Sequence, residues 1–258
     1  MKTKKPDKTE TYESEQAFIE AYDIRDYDVP LSSVDVCIFT IENNELKVLL
    51  VKRADYPFKD RWALPGGFVD IKQDQDIQQT ALRKLEQKTG VKTPYVEQLE
   101  TIGSNTRDPR GWSMTVVYFA LVASTEVTIQ DNNINSSSIE IEQTRWASLK
   151  EAGRLKLAFD HMQLLKKAVE RLRSKVAYST LPVHILPKEF TLGELQQAYE
   201  IIMNKVVEKK AFRRRIDSAG LLEETGKTRQ DGGRPAMLFR ISKKLKNKQA
   251  TYFYNRAI

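Results

Sequence analysis

Apolar residues recur along this chain in two rhythms, and the rhythms predict its elements. Val34, Val36, Ile38, Phe39 and Ile41, then Leu46, Val48, Leu49, Leu50 and Val51, are β-rich runs. Between them Glu42-Asn43-Asn44-Glu45 reads as a turn, so Ser33 to Arg53 predicts a hairpin. A Leu64-Pro65-Gly66-Gly67 turn leads into a short apolar run, Phe68-Val69. The spacing then turns helical: Ile77, Ala81, Leu82 and Leu85 share a face, and Gly90 ends the run. Tyr95 to Ile102 and Ser113 to Ala123 predict strands, as does Ile141 to Trp146, while Asn132 to Ser138 is a polar loop. Glu13 to Tyr22 has weak helical spacing. Strands and helices in this mixture predict an α/β domain over residues 31–155, a mixed-sheet α/β/α sandwich, behind an N-terminal arm of residues 1–30.

Residues 156–258 follow a different order. Ala158 to Tyr178 predicts a long helix, with Met162, Leu165, Val169, Leu172 and Val176 in a heptad-like stripe. The stripe either packs on its own domain or forms a seam with a second copy. Val183-His184-Ile185-Leu186 reads as a short strand between two prolines. Thr191 and Glu194 form a capping box that starts a helix carrying Leu195, Tyr199 and Ile202. A break near Asn204 precedes a second helix, Val206 to Ser218, closed by Gly220, with Val207, Phe212 and Ile216 facing inward. Strands Leu221 to Thr225 and Ala236 to Ile241 then flank a loop, Gly226 to Pro235, that holds Lys227, Arg229 and Arg234. Helix, strand, helix, helix, strand, basic loop, strand is the order of a winged helix-turn-helix.

Charge sharpens this division. The net charge is +7, and residues 181–258 hold 16 Lys/Arg against 8 Asp/Glu, so the excess lies in the last third. Lys209, Lys210, Arg213, Arg214 and Arg215 crowd the second helix. A helix fits the DNA major groove, arginine can hold phosphate or read guanine, and a basic loop can follow the backbone; these residues, with Arg229 and Arg234, are the candidates for DNA. The single cysteine, Cys37, sits in an apolar strand pattern and reads as a small buried hydrophobe. It fits a reducing compartment, and no apolar run approaches a membrane span, so a cytoplasmic protein is expected. With His161 and His184 the only histidines, a histidine-based metal site is not expected. Asp160 instead reads as a negative group at a helix N-terminus.

Candidate ligand chemistry lies in the first half. The loop Asn105 to Trp112 combines cations with an aromatic: Arg110 could grip phosphate, and Trp112 could stack on a flat ring. Turn chemistry alone would also explain that loop. Leu64 to Asp70 and the helix after it resemble the Nudix box, Gly-x5-Glu-x7-Arg-Glu-apolar-x-Glu-Glu-x-Gly-apolar. Arg83, Leu85, Gly90 and Val91 fit, and the acids do not. Counted back from Gly90, they fall on Lys84, Gln87 and Lys88; counted forward from Gly67, the single Glu falls on Gln73. The counts differ by two residues, an insertion in the loop Asp70 to Asp76.

Trp62-Ala-Leu-Pro-Gly-Gly-Phe-Val, Arg107-Asp-Pro-Arg-Gly, Leu157-Ala-Phe-Asp-His, Phe190-Thr-Leu-x-Glu-Leu-Gln and Gly233-Arg-Pro-Ala-x-Leu-Phe-Arg extend the likeness beyond the box. Together they resemble the bacterial Nudix-related transcriptional regulators of NAD metabolism. That resemblance implies a dimeric repressor on a palindromic operator, released when ADP-ribose or a related nucleotide enters a Nudix-like pocket. By position it implies that Gly66, Gly67 and Arg83 shape the pyrophosphate side; Arg53, Arg110 and Trp112 are further candidates for ligand contacts, and with the box acids replaced by Lys84, Gln87 and Lys88 no catalytic residue, no metal and no required cofactor is expected. The alternatives left open are a Mg²⁺-dependent ADP-ribose pyrophosphatase with an accessory DNA-binding domain and a Nudix-fold scaffold that only mediates dimerisation.

Overall fold

The computed structural model describes residues 11–91, 95–127, 141–230 and 235–242. The predicted loop Asn132 to Ser138, the first ten residues and Arg234 lie outside them. Helix α1 (Glu15–Ala21) is capped by Ser14, whose Oγ accepts from the Ala17 N–H, and buries none of its residues. Then come β1 (Leu31–Glu42), β2 (Glu45–Arg53), β3 (Trp62–Ala63), β4 (Gly66–Phe68), α2 (Ile77–Thr89), β5 (Tyr95–Ser104), β6 (Ser113–Leu121) and β7 (Ile141–Ser148). The hairpin is as predicted. Asn43 and Asn44 both take positive φ, the requirement of a tight turn whose twist matches its strands.

These strands form one mixed sheet in the order β3-β2-β1-β6-β5, with β4 added on β1 and β7 on β2. β1 and β6 run parallel, and the other pairs are antiparallel. Alternation along β1 sends Val34, Val36 and Ile38 to one face, where Ala81 and Leu85 of α2 cover them. Cys37 and Phe39 go to the other face. There they meet α3 (Leu149–Arg154) and α4 (His161–Val176), which complete the α/β/α sandwich. Cys37 is fully buried, and burial pushes its thiol well above the ordinary value, so it is a core residue.

The stripe on α4 is spent inside the chain. Leu165, Leu172 and Val176 are buried in the same core as Phe39 and Phe119, with Met162 and Val169 packed against it, so this stripe is no seam for a second copy. That core continues without interruption into the C-terminal part, through Phe190, Leu195, Tyr199, Phe212 and Ile216.

There the order is a 3₁₀ turn (Leu181–Ile185), β8 (Phe190–Thr191), α5 (Leu192–Met203), α6 (Lys209–Ala219), β9 (Leu222–Arg229) and β10 (Ala236–Ile241). The expected strand Val183 to Leu186 is therefore a 3₁₀ turn. Pro182 sits at its start, and its apolar residues are buried against α4 and α5 instead of pairing with a strand. The Thr191–Glu194 capping box has both of its hydrogen bonds, and Asn204 ends α5 in the left-handed conformation. Val207, Phe212 and Ile216 are buried, as predicted. β9 runs on through Arg229, where the sequence had indicated the loop, and the sheet order is β8-β10-β9.

Candidate nucleotide cleft and nucleic-acid face

Two strands side by side set the floor of a cleft. β1 turns Ser33 and Asp35 away from α2, and β4 pairs with it at Val34↔Gly67 and Asp35↔Gly66. Both glycines are required. A Cβ at Gly66 would lie 2.5 Å from Asp35 Oδ1, and one at Gly67, where φ is +151°, would lie 2.8 Å from Lys84 Cε. Arg53, Arg107, Arg110, Phe68, Tyr56, Ser113, Phe159 and His161 join these residues around about 930 Å³ of space open to solvent.

The charge in this cleft is held by internal partners. Arg53 donates from Nε to the Pro57 carbonyl at 2.7 Å, and its guanidinium lies 5.0 Å from the centre of the Phe159 ring. Arg110 pairs with Asp108 at 2.8 Å and stacks on Phe68. The Arg107 side chain, only 7% exposed, reaches two carboxylates, Asp160 at 3.0 Å and Asp35 at 3.4 Å. His161, the first residue of α4, accepts the Leu64 N–H on Nδ1 at 2.9 Å. That places the ring proton on Nε2, 3.5 Å from Asp35 Oδ1. Burial holds this imidazole below its ordinary pKa even though Asp35 and Asp160 oppose the shift, so it is neutral at pH 7. The buried Ser113 Oγ lacks a hydrogen-bond partner among the described residues, which a ligand in the cleft would supply. Three guanidinium groups beside exposed aromatic rings suit an anion that carries a flat ring.

Of the residues expected from sequence, Arg53, Gly66, Gly67 and Arg110 line this cleft. Arg83 and Trp112 are not among its walls. Arg83 makes two bonds to Asp74, at 2.7 and 2.6 Å, and the half-exposed Trp112 ring lies against Gly103. Asp35, Arg107, Ser113, Phe159 and His161 were not expected. An aspartate inside the apolar run Val34-Asp35-Val36 was a readable signal, since a charge there must find a partner.

A Nudix-type site would hold Mg²⁺, and the residues present do not fit one. Lys84 brings an ammonium to the turn, its Nζ 2.9 Å from where a Gly67 Cβ would stand. The acids of the preceding loop are used locally. Asp70 accepts from Lys72 and Gln73, Asp76 caps α2, and Asp74 accepts from Asp70 N–H, Thr80 and Arg83. Arg83 holds the Asp74 carboxyl well below the usual range. Among the described residues no group of three or more His, Cys, Asp or Glu could hold a metal ion. No helix among them is long and apolar enough to cross a membrane.

The second face is on α6. Phe212 and Ile216 turn inward against Tyr199, leaving Lys209, Lys210, Arg213 and Arg214 exposed, with Asp217 beside them. Arg215 is half-buried, so the triple arginine divides: two side chains face solvent and one lies toward the core. Glu208 caps the helix through the N–H groups of Lys210 and Ala211. On β9, Arg229 is paired with Glu194 and Lys227 with Glu189.

A Nudix sheet whose long helix runs into a winged helix defines the class. The Nudix family model matches residues 31–168, and the NrtR DNA-binding winged helix domain matches residues 182–241. The chain is 47% identical to the ADPR responsive transcriptional repressor NtrR of Acinetobacter baylyi over 231 residues, 90% of each protein. It is 42% identical, with a TM-score of 0.79, to Shewanella oneidensis NrtR bound to a 27mer DNA, covering 88% of this chain and 98% of that one. The Nudix domain of that regulator, bound to ADP ribose, is 44% identical with a TM-score of 0.56, covering 62% of this chain and 99% of that one. The chain belongs to this family of Nudix-related transcriptional regulators of NAD metabolism.

Proposed function

We propose that this protein is a DNA-binding repressor of NAD-metabolism genes, released by ADP-ribose. ADP-ribose enters the arginine cleft between β1, β4 and the Arg107–Arg110 loop and is bound there without hydrolysis. One observation carries this reading: the cationic cleft and the basic α6 belong to a single folded core, while the helix that should carry metal-binding carboxylates carries Lys84, Gln87 and Lys88. The similar regulators, one named for its response to ADPR and one solved on DNA, support it. The protein acts as a cytoplasmic homodimer on a palindromic operator, because a two-fold dimer matches a two-fold site. In this reading Arg213, Arg214, Lys209 and Lys210 face the duplex, with Arg229 and Arg234 as further DNA contacts, and Arg83 holds the loop before α2 through Asp74.

The test is a mobility-shift titration with ADP-ribose and Mg²⁺ on a duplex selected from a randomised library, with nucleotide products measured in the same tubes. Release of the duplex with no AMP above the buffer rate is expected. A complex that survives saturating ADP-ribose, or rapid AMP formation, overturns the reading.

A further inference from the structure

The cleft abuts the first turn of α4, and the far end of α4 reaches the winged helix. Asp160 precedes α4 as its N-cap, and its side chain makes no capping bond to the helix. It accepts instead from Arg107, through Nε at 3.1 Å and through a terminal nitrogen at 3.0 Å. Arg107 lines the cleft. The next residue, His161, holds the Leu64 N–H, so the backbone leading into β4 is tied to the same helix. At its far end α4 grips the winged helix. Arg173 Nε donates to the Ile202 carbonyl of α5 at 3.0 Å, and Tyr199 of α5 donates to the Ser179 carbonyl just beyond α4 at 2.7 Å. Packed helices rearrange between discrete arrangements and do not bend smoothly, so a change at one end is carried to the other.

We propose that the Arg107–Asp160 pair is the device that couples cleft occupancy to the DNA-binding helices. This inference rests on the function proposed above. An anionic ligand in the cleft competes with Asp160 for the Arg107 guanidinium. Charge-assisted bonds to phosphate match those to carboxylate, so the exchange is open to a diphosphate and closed to an uncharged ligand. Asp160, left without its cation, loses its anchor to the loop, and the N-terminus of α4 is released from the cleft wall. The shift passes along α4 to Ile202 and Ser179, where α5 and then α6 are seated. Asp160 is a positioning residue: it is not among the residues that line the cleft, and it acts through Arg107.

The test uses the full chain and Asp160→Asn, with Asp160→Glu as the conservative variant. Three quantities are read: the Kd for ADP-ribose alone, the Kd for a library-selected duplex alone, and the factor by which saturating ADP-ribose weakens the duplex. In the wild type that factor is of the size usual for coupled sites, roughly 5- to 150-fold. In Asp160→Asn the pair is already broken, so the duplex Kd without ligand weakens toward the value wild type shows with saturating ADP-ribose, ADP-ribose alone binds no more weakly than to wild type, and the factor falls below about twofold; Asp160→Glu recovers part of it. A wild-type factor in Asp160→Asn overturns the proposal. A wild type that ADP-ribose does not release overturns the function it rests on instead, and the two failures are told apart by which protein shows them. Should Asp160→Asn unfold, hydrogen exchange in the first turn of α4 of the wild type decides. Faster exchange on adding ADP-ribose is expected, and unchanged exchange contradicts the device.

Discussion

Lys84 shows how one side chain changes the chemistry of a fold. The box position it occupies carries a glutamate for Mg²⁺ in the Nudix signature, and here an ammonium stands against Gly67 of β4. It attracts phosphate and repels a divalent cation. In Lys84→Glu, ADP-ribose binding measured by calorimetry in EDTA weakens by about fivefold or more, on the scale of a partly screened charge pair of ~1 kcal/mol. Unchanged binding removes Lys84 from the account. Asp74 makes the complementary case, an acid spent on structure. Its side chain is almost fully buried against Arg83, and Asp74→Asn costs about 1–3 kcal/mol of stability at pH 7, the usual loss for bonds to a charged group. The folded carboxyl lies below its unfolded value, so the folded state binds fewer protons. The stabilisation is complete above about pH 4 and fades as the pH falls further. Urea unfolding at pH 7 and pH 3 reads this directly: the gap between wild type and Asp74→Asn narrows at the lower pH. A gap that widens on acidification has the wrong sign.

Among the elements, α6 shows what a helix's own spacing decides. Phe212 and Ile216 fix the inward face, which turns Arg213 and Arg214 outward and tucks Arg215 toward Tyr199. Arg213→Ala or Arg214→Ala therefore weakens duplex binding by ~1–3 kcal/mol if the side chain reads a base, or lowers the salt slope by about one if it holds a phosphate. Fluorescence anisotropy over a salt series distinguishes these. Affinity and slope both unchanged in both variants would place the DNA elsewhere.

The same elements explain what could be read from the sequence. Signals confined to a few neighbours were legible: the Thr191–Glu194 box, the break at Asn204 and the Asn43-Asn44 turn, whereas Gly66 and Gly67, expected in a turn, lie in strand β4. Val183 to Leu186 misled because a short buried apolar run looks alike in a strand and a 3₁₀ turn. The cleft was half legible. Gly66, Gly67, Arg53 and Arg110 lie in or beside recognisable motifs. Asp35, Arg107 and His161 come together only because β1 runs parallel to β6 and α4 folds back over the sheet. Trp112 lies against Gly103, outside the cleft walls.

At the scale of the molecule, one core runs from Phe39 and Phe119 through Leu164 and Leu172 to Phe190, Tyr199 and Phe212. The hairpin tip also touches the winged helix, where Gln197 donates to Asn44 at 2.9 Å. Charge is placed to match this unity, with guanidinium groups gathered at the cleft and again on α6. Where ADP-ribose lowers DNA affinity, linkage is reciprocal: whatever factor ADP-ribose takes from DNA affinity, DNA takes from ADP-ribose affinity. The most direct measurement is therefore the Kd of ADP-ribose for the full chain, by calorimetry, alone and saturated with a library-selected duplex. The account predicts weaker ADP-ribose binding in the presence of the duplex, by the same factor that ADP-ribose imposes on the duplex. Equal ADP-ribose affinity with and without DNA would contradict it.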